Sequence, residues 1–213
     1  MTESSGRTRD YFPIDSFALD RDFHVNPLMS VIKLARYKFV AKMLSKDDVV
    51  LDIGCGRGYS SHFFAQTTKQ VIGVDLYSDI PVVSKMFNAD NLKFIQADIL
   101  DPPPEITDAP ITAVTAIDVI EHFQREDGVN IVDRYADLLS DGGMMVLGSP
   151  SKFSQAYRSN QSQDVHFYEY EPEELRELCD LRFRRTLLFS MNDELVHTGF
   201  NKLAWFFFVL AFK

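Results

Sequence analysis

The stretch Val49-Val50-Leu51-Asp52-Ile53-Gly54-Cys55-Gly56-Arg57-Gly58 constrains this chain more than any other. An apolar run leads into an acidic residue and then into glycines at alternate positions. That order reads as a buried strand that ends in a tight turn and opens a helix. Glycine admits positive φ and lets backbone approach a ligand closely. In open α/β sheets, ligands bind outside the carboxyl ends of the parallel strands, where such turns lie. A dinucleotide fingerprint needs Gly-x-Gly-x-x-Gly. Tyr59 stands where its third glycine would be, and Gly58 comes one residue earlier.

Hydrophobic periodicity extends this start along the chain. Residues 30–44 carry Val31, Leu34, Ala35, Val40 and Leu44 at helical spacing. Strands are expected at 49–53, 70–75, 92–98, 111–117 and 144–148, with helices at 59–65, 81–88 and 128–139 between them. Pro102-Pro103-Pro104 forces a loop, because proline continues neither a ladder nor a helix. Residues 151–163 are polar and aperiodic, which predicts a mobile loop. Glu171-Pro172-Glu173-Glu174 opens a helix to about residue 181, with acidic side chains in its first turn to suit the helix dipole. The last two strands are expected at 185–191 and 204–212, joined by a loop at 192–202. Alternating strands and helices imply an α/β fold with a mostly parallel sheet covered on both faces. The closing pair, with no helix between them, would be antiparallel. Residues 1–29 are read as a tail and cap, and 30–213 as one domain.

Composition narrows the function. The net charge is −9, with no concentrated basic patch beyond Arg182-Phe183-Arg184-Arg185. A nucleic-acid binder normally shows such a patch, so none is expected as partner. The two cysteines, Cys55 and Cys179, give no disulfide framework. The polar first ten residues lack the apolar core of a signal peptide. The run from 203 to 212 is too short to span a bilayer as a helix. A cytoplasmic protein is expected, monomeric or homodimeric.

Asp52-Ile53-Gly54-Cys55-Gly56-Arg57-Gly58 resembles motif I of the class I S-adenosylmethionine-dependent methyltransferases, Asp/Glu-x-Gly-x-Gly-x-Gly. The donor carries a sulfonium and an ammonium and no phosphate, so an acidic loop suits it and would repel a pyrophosphate. The resemblance implies a Rossmann-like, seven-stranded, mostly parallel sheet whose last strand inserts antiparallel, with helices on both faces. It also assigns residues. Asp75 would accept hydrogen bonds from the ribose hydroxyls, and Asp98 would take the adenine amine between Leu76 and Ile99. Asp52 and the backbone of Gly54, Cys55, Gly56 and Gly58 would face the methionine end, and Ala116 and Ile117 the sulfonium. Asp52, Asp75, Asp98 and Asp118 each fall at the end of an expected parallel strand.

Ala35-Arg36-Tyr37-Lys38-Phe39-Val40 resembles bacterial methyltransferases of polysaccharide and natural-product assembly, as does the segment 190–200. Tyr37, within this segment, is also expected among the cofactor-binding residues. The acceptor would be a small molecule, with a hydroxyl of a sugar, glycan precursor or secondary metabolite as methyl acceptor. An amine acceptor and a non-catalytic cofactor-binding protein are the alternatives, and a nicotinamide oxidoreductase is disfavoured by Tyr59 and Asp52. A hydroxyl must lose its proton as it attacks. Asp118-Val119-Ile120-Glu121-His122-Phe123 resembles the segment after the fourth strand in ubiquinone-pathway O-methyltransferases. It offers His122 as first choice of base, with Glu121 and His166 as further catalytic candidates and His197 a weaker one. No metal is expected, although Asp118, Glu121, His122 and His166 have a spacing that some methyltransferases use for a divalent ion.

Overall fold

In the computed structural model of the chain, residues 23–24, 26–157, 165–199 and 201–213 are described. Most of the expected N-terminal tail and cap, and residues 158–163 of the expected mobile loop, lie outside them.

The chain opens with α1 (Pro27–Met43), which begins ahead of the expected start because Pro27 sits at its first position. Proline lacks an N–H that would go unused there. The alternation then follows: β1 (Val49–Ile53), α2 (Tyr59–Ala65), β2 (Gln70–Asp75), α3 (Ile80–Met86), β3 (Leu92–Gln96), α4 (Pro104–Thr107) and β4 (Ala113–Ile117). After a single 3-10 turn, Ile120–His122, come α5 (Arg125–Leu138), β5 (Met144–Pro150), α6 (Pro172–Asp180), β6 (Arg185–Asn192), β7 (Leu195–His197) and β8 (Phe206–Phe212). The proline cluster does not remain a loop throughout: Pro104 starts the one-turn α4. The front of the expected mobile loop is likewise a 3-10 helix, Lys152–Tyr157.

The strands form one sheet in the order β3-β2-β1-β4-β5-β8-β6-β7. Pairing is parallel from β3 to β5; β8 then inserts antiparallel between β5 and β6. The one addition to the expected seven strands is β7, which pairs antiparallel with β6 through a turn at Asp193 (φ +50°). Central strands are apolar on both sides because both sides are covered. In β8, Phe207, Val209 and Ala211 enter one core cluster, while Phe206, Phe208 and Leu210 enter the other. The first cluster contains Ile131 and Tyr135 of α5 with Leu175 and Leu178 of α6; the second contains Val40 of α1 and Phe64 of α2.

Chain order reverses between β1 and β4: β2 and β3 lie to one side of β1, and β4 and β5 to the other. A crevice opens at such a switch point, outside the carboxyl ends of the strands. Among the described residues no helix is long and apolar enough to cross a membrane.

Candidate active site

The floor of the crevice is the turn after β1. Gly54, Gly56 and Gly58 have φ of +65°, +51° and +76°, the region that L side chains rarely adopt. Their surroundings differ. A Cβ on Gly54 would lie 2.4 Å from a methyl of Val119, and one on Gly58 would lie 2.6 Å from the Phe94 ring, so both are closed in by packing. A Cβ on Gly56 would meet nothing within 4 Å. Gly56 is the place where main chain is bared to the crevice. Cys55, between these glycines, is buried and unpaired, and burial pushes its thiol pKa well above the ordinary value.

Asp75, at the tip of β2, meets the same turn. Its Oδ2 accepts from Gly56 N at 2.7 Å and its Oδ1 from Tyr77 N at 3.1 Å. Each carboxylate oxygen has a second lone pair, so the group can accept two further donors. Leu76 beside it is 66% exposed, an apolar surface at the strand end. Asp98 follows β3 and accepts from Leu100 N at 2.8 Å.

Two expected cofactor residues turn inward instead. Asp52 is 1% exposed; Oδ2 accepts from Ser60 Oγ and Ser61 Oγ, both at 2.6 Å, and Oδ1 from Thr115 Oγ1 at 2.7 Å. Burial raises its pKa against the lowering effect of those hydroxyls. The carboxylate therefore ties the glycine turn to α2 and β4 rather than lining the crevice. Ile99 is buried in the core, and its carbonyl accepts from Tyr135 Oη at 2.9 Å. Ala116 and Ile117 are also buried, beneath the tip of β4.

Asp118 leaves β4 with φ +56°, its N–H donating to Gly148 O at 2.9 Å. Nη1 of Arg36 donates to both its carboxylate oxygens at 2.7 Å, and the guanidinium lies 3.9 Å from the centre of the Phe206 ring. Arg36 comes from α1 and was not singled out from the sequence, where it reads as a polar residue between apolar ones. Tyr37, the next residue, packs at 6.2 Å from the Phe63 ring; burial, followed by the charge of Asp118, pushes its phenol pKa up, so it stays a donor.

Beyond Asp118 the chain brings the catalytic candidates together. Glu121 is fully buried; its Oε2 accepts from Ser149 Oγ at 3.1 Å, and its backbone carbonyl accepts from Phe167 N and Tyr168 N at 2.8 and 3.2 Å. Burial, then the Asp118 charge, raises the Glu121 pKa to about 8. The two carbonyl bonds seat the segment bearing His166 against the 3-10 turn bearing His122. The rings of His122 and His166 meet edge to face at 5.1 Å. His122 Nδ1 lies 2.9 Å from Val165 O, and His166 Nδ1 lies 2.7 Å from Glu169 Oε1. His197 is held elsewhere, in the β6–β7 hairpin, with Nε2 3.0 Å from Asn192 Oδ1. Ser60, Ser61, Ser149 and Glu169 were missed in the sequence. Thr115, also missed, left one trace, a hydroxyl in the otherwise apolar β4.

Known proteins resemble this chain in sequence and in fold. Residues 50–143 match the family described as methyltransferase domain. A probable S-adenosylmethionine-dependent methyltransferase of Mycobacterium tuberculosis is 28% identical over 130 residues, covering 61% of this chain and 46% of that protein. The ubiquinone biosynthesis O-methyltransferase of Xylella fastidiosa is 27% identical over 130 residues, covering 57% and 50%. The chain spans about half the length of the curated relatives it matches. The Burkholderia thailandensis 1,6-didemethyltoxoflavin-N1-methyltransferase, solved with 1,6-didemethyltoxoflavin and S-adenosylhomocysteine, shares the fold at a TM-score of 0.65 and 16% identity, over 91% of this chain and 81% of that one.

Proposed function

We propose that this chain is a class I S-adenosylmethionine-dependent methyltransferase, a reading supported by its methyltransferase-domain match and its relatives, and that it moves a methyl group to a hydroxyl of a small-molecule acceptor such as a sugar, a glycan precursor or a secondary metabolite. Residues 30–213 would act as the methyltransferase domain. The observation that carries this reading is the pairing of a bared main chain at Gly56 with the Asp75 carboxylate, at the switch point of the sheet.

The residues present fit the donor. Asp75 has lone pairs for the ribose hydroxyls, Leu76 an apolar face for the base, and Asp98 an acceptor for the adenine amine. The donor, when bound, supplies a methyl group on a sulfonium, and S-adenosylhomocysteine is released after transfer. The chain's own task is then to hold the acceptor oxygen in line with that methyl and to take its proton. Alignment of this kind supplies much of the rate in two-substrate reactions. A carbonyl can only accept, so Nδ1 of His122 carries a proton, and in the neutral ring the lone pair is on Nε2. That atom supports the base role, with the His166 ring beside it. The ubiquinone O-methyltransferase likeness favours a hydroxyl over an amine.

Release of S-adenosylhomocysteine, followed across nucleotide sugars and phenolic metabolites, tests the proposal. His122→Ala should lower turnover by about 10²-fold or more, while donor affinity stays within about twofold, since His122 is outside the donor cradle. Equal turnover in both proteins would remove His122 from the reaction.

A further inference from the structure

We infer that the groove between α1 and the β6–β7 hairpin binds a single long-chain amphiphile with an anionic head, a fatty carboxylate. The groove holds a cavity of about 510 Å³. Small-ligand sites have this size, with apolar walls and a few placed polar groups. Leu34 and Phe39 of α1, Phe63 of α2 and Val196 of β7 supply the apolar lining; Lys38, Lys42 and Glu194 supply the charges.

Two observations name this occupant. The first is an apolar floor that the fold leaves half covered. Phe39, Phe63 and Val196 pack against the core cluster beneath α1 and α2, yet each is only half-buried. Phe39 meets the rings of Phe189 and Phe208 at 5.4 and 4.8 Å, which fixes the floor in place. The second is charge. The chain has a net charge of −9, but α1 carries Lys33, Arg36, Lys38 and Lys42 and no acid. Arg36 turns inward to Asp118. Lys38 and Lys42 are exposed at the groove, and neither forms an ion pair among the described residues. Residues four apart on a helix share a face, so both ammonium groups can reach one anionic head. Their methylene stems extend the apolar wall.

Other occupants fit the groove less well. A flat anionic bilayer would meet Asp193 and Glu194, which are exposed at the tip of the hairpin and would be repelled. A partner protein needs about 20–30 residues a side for a stable interface, and nine residues line this groove. A single acyl chain needs no more than a trough. Glu194 on the hairpin wall repels an anionic head, which sets the direction of the ligand: head against the lysines of α1, tail along the rings. None of these side chains enters the methyl-transfer reading, so the two proposals stand or fall separately.

The test is calorimetric titration of the full chain with sodium decanoate, kept below the concentration at which it forms micelles. The expected result is saturable binding of one decanoate per chain. Each buried methylene is worth up to about fourfold in affinity, so octanoate should bind about tenfold more weakly. Lys38→Gln combined with Lys42→Gln should weaken decanoate binding at least tenfold. Both side chains are exposed, and circular dichroism checks that the fold is kept; should it be lost, the chain-length comparison in the wild type decides. Arg184→Gln combined with Arg185→Gln removes the same charge at another exposed site and should bind as the wild type does. No decanoate binding by the folded wild type would overturn the proposal. In that event, sedimentation with phosphatidylglycerol vesicles would give the face to a bilayer, and a dimer broken by the lysine changes would give it to a second copy. Equal affinity for octanoate and decanoate, or equal affinity in the folded lysine variant and the wild type, would also overturn it, as would an equal loss in the arginine variant.

Discussion

At the residue scale, two carboxylates one strand apart have opposite fates. Asp52 is enclosed by three hydroxyls, and Asp75 is spent on two backbone N–H groups at the crevice. The difference is set by neighbours: Ser60 and Ser61 rise from the first turn of α2, and Thr115 faces Asp52 from the adjacent strand, where the two are register partners. Thr115→Val keeps the shape and removes one donor from a buried carboxylate. It should cost about 1–3 kcal/mol, seen as a lower urea midpoint at constant slope. Arg36 is the residue-scale surprise. Its bond to Asp118 spans 82 positions, and no local pattern encodes such a partner. Arg36→Ala leaves the Asp118 carboxylate without its cation and should destabilise the fold by about 1–3 kcal/mol, discounted from the fully buried case because Asp118 is partly exposed. Thermal unfolding would show no change if the pair is energetically idle.

At the scale of elements, the site depends on the packing of α5 against the segment that leads into α6. Gly128 lies in α5, and a Cβ there would fall 2.2 Å from the Tyr170 hydroxyl. Alanine is the better helix former by about 1 kcal/mol. Overpacking of a core by one methyl costs about 1–3 kcal/mol, so Gly128→Ala should destabilise on balance. An increase in melting temperature would show that Tyr170 yields freely. Most elements were legible because they follow local rules. β1, α2 and β2 fall where their apolar runs and glycines put them. β7 did not, since Leu195, Val196 and His197 are too few to show alternation and the Asp193-Glu194 turn lacks the glycine that usually marks a hairpin. The start of α1 moved ahead of its expected place because proline takes the first position at Pro27, and Pro104 opens a one-turn helix where a loop was expected.

At the scale of the whole molecule, the sheet order brings together groups that are far apart in the chain. The tips of β1, β2 and β4 supply the glycine turn, Asp75 and Asp118, and the stretch after β5 returns His166 to His122. The placement of Asp75, Asp98 and Asp118 at or just after strand ends was legible because acidic residues follow apolar runs there. Side-chain direction was not, as Asp52 and Ile99 show, because it is decided by partners such as Thr115 and Tyr135 on other elements. The convergence of Glu121, His122 and His166 was only half legible: the first two are neighbours, and the third arrives through backbone bonds to the Glu121 carbonyl. The most direct test of the donor crevice is calorimetric titration of the purified chain with S-adenosylmethionine, beside Asp75→Ala. The account predicts saturable binding of one donor per chain, and about tenfold or greater weakening in the variant from the loss of charge-assisted hydrogen bonds. No binding to the folded wild type, or equal affinity in the two proteins, would contradict it.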